Sequence, residues 1–102
     1  MRESAIRKAL KARVEAYGGE IRAVSWLGRR NAPDVLCLFA PVGALWTEPN
    51  ARPGTNCFVE TKRPGKGATA AQAREHERMR AAGCVVVMVR DMAELDAWLP
   101  PL

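Results

Sequence analysis

The chain has 102 residues, of which 48% are hydrophobic and 26% are charged, a composition typical of a globular protein with a hydrophobic core. No apolar run is long and unbroken enough to span a bilayer, and the first ten residues carry charges rather than the apolar stretch typical of a secretory signal. We expect one domain over residues 1–102. Sixteen Lys and Arg against eleven Asp and Glu give a net charge of +5, which favours an anionic partner without requiring one.

The predicted elements alternate between helices and strands. In chain order they are a helix over 3–17, strands over 20–26, 34–40 and 57–62, a helix over 69–82, a buried strand over 85–89 and a short helix after Asp91. Residues 41–56 hold three prolines and two glycines and are predicted to form a loop. The order α-β-β-β-α-β-α predicts an α/β fold with a mixed sheet flanked by helices.

Two acidic residues lie at the ends of the predicted central strands. Asp34 follows Pro33 at the start of one strand, and Glu60 and Lys62 lie near the end of the next. Side chains alternate along a strand, so Glu60 and Lys62 share one face and Thr61 takes the other. If these strands pair as a hairpin, Asp34 and Glu60 lie at the same end. Mg²⁺ prefers such oxygen ligands, and the carbonyl of Thr61 is well placed as a further one.

Glu3 lies in the same helical stripe as Ile6 and Leu10, so we expect its side chain to point toward the sheet. A carboxylate aimed at the interior needs a partner or a metal ion. The alternative is an ordinary acid in the first helical turn, where it complements the helix dipole.

Other candidates also have structural alternatives. Asp34 after proline is common in turns, and Glu60 with Lys62 could form a salt bridge on an exposed strand. Gln72 fits a capping box with Thr69 but also lies on an inward helix face with His76, which we interpret as a packed residue rather than a catalytic base.

The segments Asn31-Ala32-Pro33-Asp34 and Glu60-Thr61-Lys62, followed by Gln72, resemble the PD-(D/E)xK nuclease superfamily and, within it, the VRR-NUC branch. The resemblance implies a restriction-endonuclease-like core. It also implies that Asp34 and Glu60 are metal ligands, that Lys62 positions or activates the attacking water, and that Glu3 and Gln72 match site residues on the two helices.

The implied function is that of a Mg²⁺- or Mn²⁺-dependent DNA endonuclease selective for branched DNA such as Holliday junctions. The alternatives are a non-catalytic nucleic-acid-binding module of the same fold and a sequence-specific restriction-type endonuclease. The resemblance further implies a homodimer and a bacterial or phage setting. The three widely spaced cysteines form no disulfide or zinc pattern and fit a reducing cytoplasm.

Basic residues flank both acidic segments and are the best candidates for DNA phosphate contacts; they are Arg29, Arg30, Arg63 and Lys66. Trp26 and Trp46 could stack on unpaired bases, with packing in the core or in a dimer as the alternative. The apolar residues interpreted as surplus to the core, and therefore as dimer contacts, are Leu45, Trp46, Trp98, Leu99 and Leu102.

Overall fold

A computed structural model describes residues 2–28, 31–40, 55–63 and 65–102. The elements are, in chain order, α1 Glu3–Ala16, β1 Glu20–Ala23, β2 Val35–Phe39, β3 Thr55–Thr61, α2 Ala70–Ala81, β4 Val85–Val89 and α3 Met92–Trp98. Their order confirms the predicted α-β-β-β-α-β-α arrangement. A search of the described residues finds no helix with the length and apolar character needed to cross a membrane.

The four strands form one mixed sheet in the order β1-β2-β3-β4. β1 and β2 run antiparallel, as do β2 and β3, whereas β3 and β4 are parallel and are joined through α2. β4 lies at the edge of the described sheet, and Val85 at its start is 43% exposed. The prediction of a fully buried strand is therefore wrong at this end and holds for Val89, which is fully buried.

The core lies between one face of the sheet and the helices α1 and α3. The apolar stripe of α1 buries Ile6, Leu10 and Val14 against it. Tyr17, which continues the stripe, is 37% exposed at the rim. The strands contribute alternate residues because only every second side chain faces this layer; they include Val35, Cys37, Cys57, Val59 and Val89.

The C-terminal helix completes this core. Leu95 is fully buried, and Trp98 packs edge-on against Phe39 with ring centroids 6.3 Å apart. Trp98 and Leu99 both contact the core cluster. They are therefore used within the chain, which corrects the prediction that they are surplus material for a dimer. Leu102 is 84% exposed, and Leu45 and Trp46 lie outside the described residues.

Two predicted strand boundaries need correction. β1 ends at Ala23 rather than at Trp26, whose indole N–H donates to the Pro33 carbonyl at 2.7 Å while its ring packs on Phe58. Trp26 thus supports the turn that leads into β2. β3 begins at Thr55, inside the predicted loop, because Thr55 pairs with Phe39 and extends the ladder.

The helix α2 lies against the other face of the sheet, where its His76 approaches Glu60. Thr69 and Gln72 form the predicted capping box: the Thr69 hydroxyl accepts from the Gln72 N–H at 3.1 Å, and the Gln72 carboxamide accepts from the Thr69 N–H at 3.0 Å. These bonds satisfy two of the free N–H groups at the helix start and fix where α2 begins.

The cap of α3 forms only one half of a capping box. The Asp91 carboxylate accepts from the Glu94 N–H at 2.8 Å, as expected. The Glu94 side chain, however, accepts from the backbone N–H and the guanidinium of Arg90 rather than from the Asp91 N–H. Since Arg90 offers a charged partner as well as a backbone donor, this pairing is the stronger one.

Candidate active site

The strand register brings the two predicted acids together. In the antiparallel pair, Val35 lies opposite Val59, so the next residue of each strand beyond this pair, Asp34 and Glu60, comes at the same end of the ladder. Pro33 is fully buried and the Asp34 carbonyl accepts from the Val24 N–H at 2.9 Å, which fixes the chain on entry to β2. Both acids therefore lie at the same end of the hairpin, as the sequence predicted.

Glu60 is a buried acid, with only 8% of its side chain exposed. Burial raises the pKa of Glu60 from its ordinary 4.5 to about 7, because the charged form loses hydration. The carboxylates of Asp34 and Glu3 act in the same direction, whereas the cations of Lys62 and Arg7 oppose it. A cation close to Glu60 therefore stabilises its charged form.

His76 lies under Glu60 and was predicted to be a packed residue. Its Nε2 is 3.7 Å from the Glu60 carboxylate, and within the described residues this buried atom has no hydrogen-bond partner. Burial, followed by the charge of Arg80, lowers the pKa of His76. A neutral imidazole therefore packs beside Glu60 on the α2 side of the sheet.

Arg7 is a site residue that the sequence analysis missed. Its Nη2 donates to both carboxylate oxygens of Asp34, each at 2.7 Å, and its Nε donates to the Thr61 hydroxyl at 3.0 Å. Arg7 is four residues after Glu3, which places the two side chains on one face of α1. This spacing of four residues could have indicated Arg7, because a cation one helical turn from a candidate acid lies on the same face of the helix.

Glu3 reaches the sheet but is not buried. Its carboxylate accepts from the Thr61 hydroxyl at 3.3 Å and lies 3.9 Å from Nη2 of Arg7. The side chain is 46% exposed, so it lies at the margin of the site rather than in the interior. Thr61, which is fully buried, joins Glu3 and Arg7 on the face of the sheet opposite to Glu60.

Lys62 follows Thr61 and opens onto a basic cavity. It lies close enough to Glu60 to lower the pKa of that carboxyl group. In the part of the chain that the structure describes, Lys62 makes no ion pair within 4.0 Å. It lines a cavity of about 350 Å³ together with Glu3, Arg63, Lys66, Gly67 and Thr69. Two of the predicted phosphate contacts, Arg63 and Lys66, therefore line the same cavity as Glu3 and Lys62.

The remaining predicted residues are divided between the described and undescribed segments. Arg63 and Lys66 are exposed on the cavity wall. Gln72 lies at the start of α2, where its carboxamide oxygen is held by the cap. Arg29 and Arg30, predicted phosphate contacts, and Trp46, a predicted base-stacking residue, lie outside the described residues.

The donor chemistry of the site fits a hydrated divalent cation. Mg²⁺ typically takes one or two protein carboxylates and keeps several waters, and Asp34 and Glu60 supply such a pair, with the Thr61 carbonyl adjacent. Among residues 2–28, 31–40, 55–63 and 65–102, no three His, Cys, Asp or Glu side chains cluster closely enough to hold an ion. A site of two carboxylates with several waters is therefore the ligand set to be tested.

Known proteins share this fold over nearly the whole chain. A protein named "Putative nuclease p44", from Acyrthosiphon pisum secondary endosymbiont phage 1, is 36% identical over 100 residues, which cover 98% of this chain and 94% of that protein. A solved structure described as "VRR_NUC domain" matches with a TM-score of 0.72 and 34% identity, over 93% of this chain and 90% of that chain. A comparison with models of protein families gives no match.

The mixed sheet, its flanking helices and the paired acids at the end of the central hairpin define the chain as a nuclease of the PD-(D/E)xK class. Within that class it belongs to the VRR-NUC family, as the likeness in sequence and in structure shows. Its substrate is accordingly a nucleic acid.

Proposed function

We propose that this nuclease is a metal-dependent DNA endonuclease that hydrolyses phosphodiester bonds at the Asp34–Glu60 end of the sheet. The observation that supports the proposal is that Asp34 and Glu60 lie at the same end of the β2–β3 hairpin, where the charges of Asp34 and Lys62 both act on the Glu60 carboxyl group. One or two Mg²⁺ or Mn²⁺ ions would be held by Asp34, Glu60 and the Thr61 carbonyl, with Glu3 at the margin.

A cation held there would supply Lewis-acid stabilisation of the phosphate and a more acidic water. The protein's own residues orient and balance the reaction. Lys62 places a positive charge where negative charge develops on the phosphate, and it positions the attacking water. Gln72, at the start of α2, is a further proposed site residue, next to Thr69, which lines the same cavity.

The test is cleavage of supercoiled DNA by three variants, Asp34→Asn, Glu60→Gln and Lys62→Ala, with Mn²⁺ and with EDTA. We expect each to lose nearly all cleavage while remaining folded and bound to DNA. Glu20→Gln, which alters an exposed acid on β1 away from the acid pair, is the matched control and should cut normally. Full activity of Glu60→Gln, or cleavage in EDTA, would overturn the assignment.

We propose that the phosphate backbone crosses the cavity that Lys62 opens onto, where Arg63 and Lys66 supply positive charge, and that Arg29 and Arg30 extend this contact. Lys and Arg side chains that bind phosphates release counterions from DNA. A non-catalytic binding module is the weaker alternative, because a binder gains nothing from two carboxylates facing phosphate. The third alternative is a sequence-specific restriction-type endonuclease.

Branched DNA is the substrate that we propose, cut by a homodimer in the cytoplasm of a bacterial or phage-infected cell. Resolving a four-way junction needs two symmetric cuts, which a two-fold dimer supplies. Parallel assays with linear, flap and four-way-junction DNA, combined with sedimentation at micromolar concentration, test both parts. A monomer that cuts flaps and leaves junctions intact would overturn this finer proposal while leaving the nuclease assignment in place.

A further inference from the structure

Arg7 is bound more closely to the acidic site than any function assigned so far requires. One nitrogen of its guanidinium contacts both oxygens of Asp34 at 2.7 Å, and another contacts Thr61 at 3.0 Å. The first nitrogen also lies 3.9 Å from Glu3. A single cation therefore links three residues that we assign to the metal site.

We propose that Arg7 is an internal counter-ion, which competes with the divalent cation for Asp34 and moves to a substrate phosphate when that cation binds. This inference rests on the proposed function, because it takes Asp34 as a metal ligand. It assigns Arg7 a part in substrate binding that depends on the metal.

The competition follows from the contacts. Both carboxylate oxygens of Asp34 accept from Arg7, so a cation that binds either oxygen must displace or share that hydrogen bond. Two positive charges within a few ångströms also repel, most strongly where solvent is partly excluded. The guanidinium fork fits phosphate as well as it fits carboxylate, so a phosphate at the site offers Arg7 an equivalent partner.

The surroundings of Arg7 leave room for this movement. Its side chain is 41% exposed and lines an open cavity of about 340 Å³ between α1 and β1. Lys8, Lys11 and Arg22 line the same cavity, so other cations surround Arg7 on this side of α1. Arg7 can therefore leave Asp34 by rotating its side chain, with α1 unchanged.

The competing explanation is a static brace that holds Asp34 ready for the metal. The two roles predict opposite signs. Removal of a brace loosens Asp34 and weakens metal binding, whereas removal of a competitor strengthens it. Mn²⁺ affinity of the metal-free protein, measured by calorimetry, separates them without any measurement of cleavage.

We expect Arg7→Gln to bind Mn²⁺ about threefold to thirtyfold more tightly than the wild type, a range set by the loss of one close positive charge. Arg7→Lys keeps the positive charge but loses the planar guanidinium group. Its Mn²⁺ affinity should therefore lie between those of the wild type and Arg7→Gln. Lys8→Gln removes the same charge from the next position of α1 and should change Mn²⁺ affinity by less than about twofold. Unchanged or weaker binding by both Arg7 variants, with their helical circular dichroism intact, overturns the competition.

The transfer to phosphate is tested with a phosphorothioate oligonucleotide and fluorescence anisotropy. Arg7→Gln should weaken binding of the oligonucleotide several-fold more with Mn²⁺ than with EDTA, because only the metal releases Arg7 from Asp34. An equal loss in both conditions overturns the transfer. Asp34→Asn and Glu60→Gln are run beside it, and normal Mn²⁺ binding by these two would refute the proposed metal site itself, a result distinct from any failure confined to Arg7.

Discussion

Nε2 of His76 lies 3.7 Å from a carboxylate oxygen of Glu60, and both side chains are buried, at 4% and 8% exposure. The two pKa values move so that neither group is charged easily: burial raises that of Glu60 to about 7, and burial lowers that of His76. Near neutral pH, a neutral imidazole therefore faces a carboxyl group that is close to half ionised.

Metal binding should depend on pH through Glu60. A proton and a cation compete for the same carboxylate, so Mn²⁺ affinity should fall as pH drops below about 7, the pKa of Glu60. The limiting slope is about tenfold per pH unit. Calorimetric titrations from about pH 5.5 to 8.5 measure it. An affinity that is constant over this range would show that Glu60 is not a ligand.

Stability without metal should also respond to Glu60. The pKa is raised from 4.5 to about 7 on folding, so the folded state holds the proton more tightly than the unfolded state, and stability is lost as pH rises through this window. Glu60→Gln does not titrate. In EDTA it should therefore be more stable than the wild type above neutral pH, by up to about 3 kcal/mol, and the difference should shrink toward acidic pH.

Urea unfolding at several pH values measures this difference. Glu15→Gln, which changes an exposed acid on α1, is the control and should shift stability little at any pH. A Glu60→Gln variant that is less stable than the wild type at alkaline pH would mean that the carboxylate gains more from its neighbours than burial takes away.

The two possible roles of Gln72 can be separated by a conservative change. Gln72→Glu keeps a capping-box acceptor at this position, so it should retain the stability of α2. It also places a negative charge beside the substrate cavity and removes the amide, so cleavage should fall. Thr69→Ala breaks the cap and should cost about 1 kcal/mol of stability, which measures the capping role alone. Normal cleavage by Gln72→Glu would leave Gln72 with the capping role alone.

DNA binding should weaken steeply with salt if phosphates cross the cavity that Lys62 opens onto. Replacing Arg63 and Lys66 together by Gln should flatten the slope of log affinity against log salt by about one to two units. The matched control replaces Arg74 and Arg78, two exposed cations of α2 that line a different cavity. A control that flattens the slope more than the test pair would move the DNA path to that face of α2.

Arg13 joins α1 to the C-terminal helix. Its guanidinium donates to the Leu99 carbonyl at 2.6 Å and pairs with Asp96 at 2.8 Å, and its side chain is only 13% exposed. Arg13→Ala leaves a carbonyl without its donor and should destabilise the fold by about 1–3 kcal/mol. Lys11→Ala, at an exposed pair with Glu15, should cost less than about 0.5 kcal/mol. Thermal unfolding compares the two variants, and equal losses would contradict the structural role of Arg13.

The sequence predicted the element order and the meeting of Asp34 with Glu60 because both depend on short-range patterns. Alternation of apolar residues fixes which side chains of β3 face the core, and a hairpin between β2 and β3 then leaves a single register that buries Val35 and Val59. The capping box of Thr69 and Gln72 is likewise a local pattern, and the structure contains both of its hydrogen bonds.

The contacts of long side chains could not be predicted in this way. Arg7 reaches Asp34 only because α1 packs across the sheet, and its exposed helical position offers several other partners. The packing sites of Trp26 and Trp98 also depend on tertiary structure, since a large ring can pack in a core, at an interface or on a base.

The alternation in β3 links the stability of the protein to its chemistry. Cys57, Val59 and Thr61 face α1, while Glu60 faces His76 on α2. A slip of one residue in this strand would bury Glu60 in the apolar layer and turn Thr61 toward His76. Such a form would lose its core and its active site together. Misregistered molecules should therefore be both unstable and inactive.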